Sequence, residues 1–274
     1  MSNSPCGPST WGEIEDYTIV ITGGVTPQPA ISYAWSNNLN STLVASNNPV
    51  AVASNITANE NYQVLATTVN GCSQTLLVPV IVNCGYNLSL KLFLQGYYDA
   101  SSDAMLPVLL NQGEGFSTTI TDTVLVELRS SSNTSIVLES TQGLLQTNGI
   151  VTCTFASAPS QPFYVLVKHR NGLETWSDQV LNTSTSSYDF STAATKAYGG
   201  NQVELEPGVY GFYSGDANQD QAIDVFDYII IEPDIIAGNS GYLVSDFNGD
   251  GSVDVFDYIV VEPNIVAGIS ASAP

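Results

Sequence analysis

Basic residues are what this chain lacks most. It has five Lys and Arg and one His against 26 Asp and Glu in 274 residues, for a formal net charge of -21. Binding to nucleic acid, or to an anionic membrane surface, is excluded because the chain has no basic patch to neutralise phosphate. Long apolar runs are also missing, so we expect no membrane insertion.

Cysteine is scarce and follows no metal-binding pattern. The chain has no CxxC pair, and its four cysteines allow three full disulfide pairings among which the sequence does not choose. If Asn70-Gly71 turns a hairpin, Cys72 lies at the turn and Cys84 lies too far along the return strand to bond with it. Cys153 alternates with apolar neighbours and is expected to be a buried thiol. The fourth is Cys6.

Signatures of catalysis are missing too. The sequence has no GxSxG nucleophile turn, and neither Gly-Gly pair forms a phosphate loop. The only histidine, His169, is expected to meet nearby acids such as Glu174 or Asp178. Carboxylate pairs in "GYYDASSDA" and "VELEPG" are close in sequence, which does not place them across a cleft. We therefore predict that this chain is not an enzyme.

The chain is rich in Ser, Thr, Asn, Gly and Val, and 11% of its residues are charged. It favours β-rich extracellular modules over a cytosolic enzyme. The first residues, "MSNSPCGPST", lack the basic and apolar regions of a signal peptide. We expect a piece of a longer exported chain that is secreted or held at the cell surface.

Residues 1–22 contain one strand pattern, "WGEIEDYTIVIT". A lone strand buries no face, so its partners are expected elsewhere, for instance upstream of Met1. The stretch resembles the terminal strand of the GEVED domain of secreted bacterial proteins. The resemblance implies that residues 1–22 are the end of a truncated domain.

Residues 23–85 show several strand patterns separated by turns, and Asn70-Gly71 predicts a hairpin. Trp35 and Tyr62 are interpreted as core residues. The stretches "YAWSNN" and "YQVLATTVNGC" resemble a PKD-type immunoglobulin-like domain, which implies a β-sandwich here.

Residues 86–212 alternate with period two over several strands, which predicts a second β-sandwich of antiparallel sheets. Two sets of apolar residues should each share one face of a strand: Leu88, Leu90, Leu92 and Leu94, and then Val124, Val126 and Leu128. The stretches "KLFLQGYYD", "KHRNGLETWS" and "AYGGNQVEL" resemble a β module that precedes calcium-loop tails in large secreted bacterial proteins. A weaker interpretation is carbohydrate binding, with Tyr97, Tyr98 and Trp176 stacking on sugars.

Residues 213–274 contain an internal repeat. Residues 216–238 and 246–268 are identical at 14 of 23 positions, and four of the other nine are Ile-to-Val exchanges. Each copy begins with oxygen donors at positions 1, 3, 5, 7, 9 and 12, the spacing of a twelve-residue calcium loop. Position 7 would contribute its backbone carbonyl. The donors are Asp216, Asn218, Asp220, Ala222, Asp224 and Asp227, then Asp246, Asn248, Asp250, Ser252, Asp254 and Asp257.

The flanks of the loops differ from an EF-hand. Pro207, Gly208 and Gly211 argue against a helix before the first loop, whereas a short helix is predicted after each. Val225, Phe226, Ile229 and Ile230 would make one apolar face, stopped or redirected at Pro233. Position 6 needs a sharp turn and is Gly251 in the second loop but Gln221 in the first, so the first site is expected to be strained and weaker.

Loop followed by helix, duplicated, with Asp at position 12, resembles the type I dockerin. The resemblance implies two calcium ions, pseudo-twofold symmetry and a cohesin partner. Dockerins often carry a Ser-Thr type pair at loop positions 10 and 11, where this chain has Val225-Phe226 and Val255-Phe256. Cohesin binding through those positions therefore does not follow, and a place in the core is the other interpretation.

Together these patterns predict a mainly β protein, with two immunoglobulin-like β-sandwich modules followed by a small α dockerin-like calcium module. The predicted function is non-catalytic: an adhesive or docking region of a large secreted protein, whose tail binds a cohesin-like partner or the sandwich beside it. The alternative is the accessory end of an extracellular hydrolase, a polysaccharide-degrading enzyme or a peptidase, whose catalytic domain lies upstream.

Overall fold

A computed structural model describes residues 17–18, 30–37, 41–44, 46–56, 59–80 and 85–274. The chain divides into two compact units, Met1–Cys84 and Gly85–Pro274. Cys6, Cys84 and most of the predicted GEVED-like segment lie outside the described residues. No helix in the described part of the chain has the length and apolar content needed to cross a bilayer.

The described residues of the first unit form two three-stranded antiparallel sheets, ordered β1-β4-β3 and β2-β5-β6. Trp35 and Tyr62 lie in one core with Ala53 of the other sheet, as predicted for a structural role. The strands are β1 (Tyr17–Thr18), β2 (Ala30–Asn37), β3 (Thr42–Val44), β4 (Val52–Ser54), β5 (Glu60–Thr68) and β6 (Ser73–Val80).

Two predictions about this unit can be compared with the structure. The Asn70-Gly71 hairpin is confirmed, because β5 and β6 pair from Thr67↔Ser73 onward and Gly71 has φ 80°. Cys72 lies exposed beside this turn. Tyr17–Thr18 pair with β4 inside the same unit, at the edge of the sheet β1-β4-β3, so one partner of this strand lies downstream of it.

The second unit is built on two sheets that share one core. One is β11-β10-β13-β14 and the other is β12-β7-β15. The strands are β7 (Tyr86–Lys91), β8 (Tyr98–Asp99), β9 (Ala104–Met105), β10 (Ile120–Ser130), β11 (Val137–Gln146), β12 (Ile150–Phe155), β13 (Phe163–His169), β14 (Gly172–Trp176), β15 (Ser187–Asp189), β16 (Val203–Glu206) and β17 (Val209–Gly211).

The helices of this unit are α1 (Val108–Asn111), α2 (Val225–Ala237) and α3 (Val255–Ala267), with 3-10 turns at Gln95–Tyr97, Ala194–Lys196 and Tyr198–Gly200. Two small hairpins, β8-β9 and β16-β17, complete the unit. The strand β17 precedes the first loop, which confirms that no helix enters it.

Alternation along the strands correctly identified the core. Leu88, Leu90, Leu92 and Leu94 are all buried, as are Val124, Val126 and Leu128. Cys153 is buried as predicted, and burial raises the pKa of its thiol to about 12. One pairing differs from the antiparallel prediction, because β15 runs parallel to β7. Residues 92–186, between β7 and β15, supply the long crossover connection that a parallel pair requires.

Candidate metal centres and docking surface

Each predicted loop ends by starting a helix. Asp224 and Asp254, at loop position 9, are the N-caps of α2 and α3, and their carboxylates accept from the backbone N–H of Phe226 and Phe256 at 2.7 Å. This is the usual chemistry of a helix start, because the first N–H groups have no partner inside the helix. The predicted helices after both loops are therefore confirmed.

In the first loop, the carboxylates predicted as ligands accept hydrogen bonds from backbone N–H groups of the same loop. Asp216 accepts from the N–H of Asp220 at 3.1 Å and of Gln221 at 3.2 Å. Asp220 accepts from the N–H of Ala222 at 3.1 Å. Asp227, at position 12, accepts from the N–H of Ala217 at 2.8 Å and so joins the helix start to the loop start.

The second loop repeats this pattern. Asp246 accepts from the N–H of Gly249 at 2.8 Å and of Gly251 at 2.9 Å. Asp257 accepts from the N–H of Phe247 at 2.6 Å and of Asp254 at 2.9 Å. The bonds from the position-6 N–H and to the position-12 carboxylate are equivalent in the two copies, whereas the other bond to the position-1 carboxylate comes from position 5 in the first loop and position 4 in the second.

The loops are also tied to the ends of the helices. The N–H of Ile223 donates to Ile269 after α3, and the N–H of Val253 donates to Asn239 after α2, at 2.8 and 2.9 Å. The rings of Tyr228 and Tyr258 meet with centroids 5.1 Å apart. Each loop therefore pairs with the segment that follows the other copy's helix, a twofold-like exchange.

Each loop buries two carboxylates. Asp216 and Asp227 are 2% and 0% exposed, and Asp246 and Asp257 are both 0% exposed. Burial, followed by repulsion from Asp227, raises the pKa of Asp216 to about 6. Burial and the nearby Asp246 likewise raise the pKa of Asp257 to about 6. Ionised at neutral pH, these groups are costly unless a positive charge lies among them.

The predicted donors of both loops are all oxygen atoms. No ion pair within the described residues joins a Lys, Arg or His to a loop carboxylate. The same residues contain no cluster of three Asp, Glu, His or Cys side chains arranged as a metal site. Each loop instead mixes two buried carboxylates with exposed carboxylate, amide and carbonyl oxygens. Such an all-oxygen set suits Ca²⁺.

The loops differ in how they meet the sandwich, residues 86–212. A Cβ on Gly249 would lie 2.5 Å from Cγ2 of Val108, and a Cβ on Gly251 would lie 2.7 Å from the carbonyl oxygen of Asn111. Both glycines have positive φ, 74° and 92°. The second loop thus packs directly on α1 and the residue after it. The matching residues of the first loop are exposed and also have positive φ, namely Gln219 and Gln221.

A buried polar network fills the junction between the sandwich and the tail, residues 213–274. Asp122 Oδ2 lies 3.1 Å from His169 Nε2 and 3.0 Å from Arg170 Nε. The hydroxyl of Tyr242 donates to Asp122 Oδ1 at 2.8 Å. Burial alone raises the pKa of Asp122, but bonding and attraction from His169 and Arg170 outweigh it and hold the pKa well below its usual range.

Arg170 extends this network toward the second loop. Its Nη2 donates to the hydroxyl of Tyr97 at 2.6 Å and to Gln112 Oε1 at 3.0 Å, and its Nη1 donates to the carbonyl of Leu243. Gln112 Nε2 in turn donates to Asp246 Oδ2. Arg170, one of the few basic residues of the chain, thus supports the second loop through Gln112 and makes no contact with the loop carboxylates.

The sequence did not identify Gln112, Asp122 or Arg170 as residues of the site, because no local pattern shows what a side chain meets across a junction. The scarcity of cations is the one signal that could have drawn attention to Arg170. His169 does meet an acid, but this acid is Asp122 rather than Glu174 or Asp178. Glu174 pairs instead with Lys168 at 3.3 Å.

Apolar side chains at loop positions 10, 11 and 14 are exposed on both helices. We call them the apolar trios: Val225, Phe226 and Ile229 on α2, and Val255, Phe256 and Ile259 on α3, all between 55% and 61% exposed. The interpretation of Val225-Phe226 and Val255-Phe256 as core residues is therefore wrong. The predicted apolar face of α2 is mostly a surface, and only Ile230 of that set is half-buried.

The carbohydrate interpretation is not consistent with the aromatic side chains. Tyr97 is 1% exposed and Trp176 is 6% exposed. Tyr98 is half-buried, and its hydroxyl donates to Glu206. These rings pack within the protein and offer no platform for stacking on a sugar.

Comparisons with known proteins give only distant likenesses. No protein-family model matches, and no curated protein matches either. A mutant type II cohesin–X-dockerin complex from Acetivibrio cellulolyticus aligns at 14% identity and TM-score 0.40, covering 66% of this chain and 95% of that chain. A second such mutant complex aligns at 14% identity and TM-score 0.38, covering 68% and 97%.

A further alignment is with an Asp-to-Ala variant of BcpA, the major pilin subunit of Bacillus cereus, at 9% identity and TM-score 0.23, covering 65% of this chain and 58% of that chain. At these scores the likenesses identify neither a family nor a function for this chain.

Proposed function

We propose that residues 213–274 form a calcium-stabilised docking module in a non-catalytic region of a secreted or cell-surface protein. One observation carries the proposal. In both repeats, a loop that buries two carboxylates leads directly into a helix that exposes an apolar trio. Calcium would hold the loops, and the trios would bind a protein partner.

Two ions would be bound, one in each loop. Asp216, Asn218, Asp220, Ala222, Asp224 and Asp227 would hold the first, and Asp246, Asn248, Asp250, Ser252, Asp254 and Asp257 the second. A bound dication offsets the repulsion between the carboxylates. Asp227 and Asp257 would then link each ion to the first turn of a helix, so that metal binding stabilises the loop and the helix together.

The docking surface is supported by exposure and by symmetry. Contiguous sets of exposed apolar side chains often mark sites of protein–protein interaction. The flanking loops are acidic and the module has no basic residue after Lys196. We commit to a partner of the cohesin type that the dockerin resemblance implies, with an apolar face that accepts Phe226 or Phe256.

Calcium titration of the decalcified full chain tests the metal part of the proposal. We expect two binding events by isothermal titration calorimetry and a rise in thermal stability. Asp220→Ala and Asp250→Ala, at matching exposed positions, should each weaken one event. If the wild-type chain binds no calcium at millimolar concentration, the loops are not metal sites and this proposal fails.

Titration with a purified cohesin domain in calcium tests the docking part. Substituting Phe226→Ser and Phe256→Ser together should weaken binding more than tenfold, since interface anchors of this type dominate affinity. Phe116, fully exposed in the same unit, offers the matched control Phe116→Ser. Equal affinity of wild type and double variant would place docking elsewhere.

A further inference from the structure

We infer that Gln112 of the sandwich is a positioning residue for the second calcium loop. The sandwich would then set the calcium affinity of the second loop and not that of the first. The inference rests on the proposed calcium function. It adds that the two loops, though repeated in sequence, are unequal because only one has a ligand side chain held from outside the loop.

The orientation of Gln112 follows from its partners. Its Oε1 accepts from Arg170 Nη2 at 3.0 Å, and a guanidinium can only donate. The oxygen of the amide must therefore face Arg170, which turns Nε2 toward Asp246 Oδ2. Arg170 is itself held by Asp122 at 3.0 Å. The side-chain amide is fixed at both ends.

The backbone of Gln112 is equally well held. Its N–H donates to Val108 at 2.9 Å and closes the short helix α1. The side chain of the preceding Asn111 donates to the carbonyl of Gly249 at 3.0 Å. In the turn between β13 and β14, the side chain of Asn171 donates to the carbonyl of Asp246 at 3.0 Å. The second loop is thus held by the sandwich at Asp246 and at Gly249.

The first loop has no equivalent support at its carboxylate. Among the hydrogen bonds of the described residues, Asp216 is bonded through its carboxylate only by the N–H groups of Asp220 and Gln221, both in its own loop. The one side-chain bond toward the sandwich, from Gln219 to the carbonyl of Arg170 at 3.4 Å, leaves the Asp216 carboxylate untouched.

A neutral donor on Asp246 is well suited to this role. It fixes the carboxylate without cancelling the negative charge that attracts a cation. Outer-shell partners of metal ligands typically contribute 10–100-fold to metal affinity. The second loop should therefore bind calcium more tightly than the first, and this advantage should depend on Gln112.

The test is calorimetric titration of calcium chloride into the decalcified full chain. Gln112→Met keeps the length and removes the donor. We expect it to lower the tighter affinity roughly tenfold and leave the weaker one within twofold. Gln202→Met is the matched control, since Gln202 is a 5% exposed residue of the same sandwich whose side-chain amide has no hydrogen-bond partner. It should change neither affinity.

Paired backgrounds assign the effect to a loop. With Asp220→Ala weakening the first loop, Gln112→Met should still lower the remaining affinity. With Asp250→Ala weakening the second loop, Gln112→Met should leave the remaining calcium affinity unchanged. If Gln112→Met does not fold by circular dichroism, Gln112→Asn, which keeps the amide but is too short to reach, should show the same loss.

The outcomes separate this inference from the function on which it rests. A wild-type chain that binds no calcium refutes both. Two calcium sites whose affinities are unchanged by Gln112→Met, or lowered equally, refute the role of Gln112 and leave the calcium function standing.

Discussion

At the scale of single residues, the differences between the two repeats follow the junction. Gly249 and Gly251 replace two glutamines where the second loop touches α1. Asn264 replaces the aspartate of the first copy and donates to Gln95 Oε1 at 2.7 Å. Phe247 replaces an alanine and packs where a Cβ on Gly96 would lie 1.9 Å from its carbonyl oxygen. Contact with the sandwich accounts for these exchanges, and Gly251 also suits the sharp turn that a calcium loop needs at position 6.

Exchanges at loop position 6 should separate the effect of backbone strain from that of close packing. Gly251→Ala places a Cβ against the Asn111 carbonyl at φ 92° and should lower the free energy of unfolding by about 1–3 kcal/mol. Gln221→Gly, at the same position in the exposed loop, should change it by less than about 1 kcal/mol. Urea denaturation in a chelator measures both. Similar losses for both substitutions would contradict the packing argument.

At the scale of elements, the aspartate at loop position 12 determines which side of α2 and of α3 is buried. Asp227 and Ile231 are one turn apart on α2, and both are 0% exposed. Because Asp227 must face the loop to accept its N–H groups, that face becomes the inner one. Val225, Phe226 and Ile229 are consequently turned outward. An apolar periodicity alone could not show this, since the helix is apolar on both sides.

The helices continue through a proline that was predicted to stop or redirect them. Pro233 lies inside α2, which ends at Ala237 before Gly238 at φ 62°. The left-handed glycine, and not the proline, ends the helix.

Pro233→Ala should therefore stabilise the chain, because the alanine can donate the missing hydrogen bond from an exposed position. The expected gain is about 1–3 kcal/mol in urea denaturation. Pro207→Ala, in the turn between β16 and β17, serves as the control and should give no such gain. No gain for Pro233→Ala would mean that the local helix geometry already accommodates the ring.

At the scale of the whole molecule, the second unit contains both the sandwich and the tail, which the sequence predicts to be separate domains. The predicted boundary at residue 212 falls inside one compact unit, Gly85–Pro274. The tail is held there by the network around Asp122 and Arg170 and by Asn264. Of the two partners predicted for the tail, the sandwich beside it is therefore in contact with it.

The dependence of stability on pH should change sign with calcium. Asp216 and Asp257 have pKa values raised to about 6, above the ordinary value of 3.8. Without metal, the folded chain then holds more protons than the unfolded chain between about pH 4 and 6, so stability falls as pH rises, by up to about 3 kcal/mol per carboxyl. With calcium, which binds the ionised form, stability should rise over the same interval.

Thermal unfolding from pH 4.5 to 7, with calcium and with chelator, measures this reversal. Replacing Asp216→Asn and Asp257→Asn together should weaken both trends, and the raised pKa values of the buried Asp227 and Asp246 account for what remains. Asp122 acts in a different window, because its lowered pKa gives stability that is lost only as pH falls below about 4. Parallel profiles with and without calcium would contradict the prediction.

The sequence by itself determined the local elements. Side-chain alternation located the strands and their core faces, Asn70-Gly71 located a hairpin, and the spacing of Asp and Asn located two loops that each start a helix. These features depend on neighbours a few residues apart, which a linear pattern records. Calcium in those loops, and docking by the tail, remain predictions.

Only the tertiary structure decided which surfaces meet. It buried Tyr97 and Trp176, exposed the trios, paired β15 in parallel with β7, and seated one of two similar loops on the sandwich. Gln112 and Asp246 are far apart in sequence, and nothing near either one indicates the other. Their contact exists because the fold brings α1 and the second loop to one junction, and that contact makes the two repeats unequal.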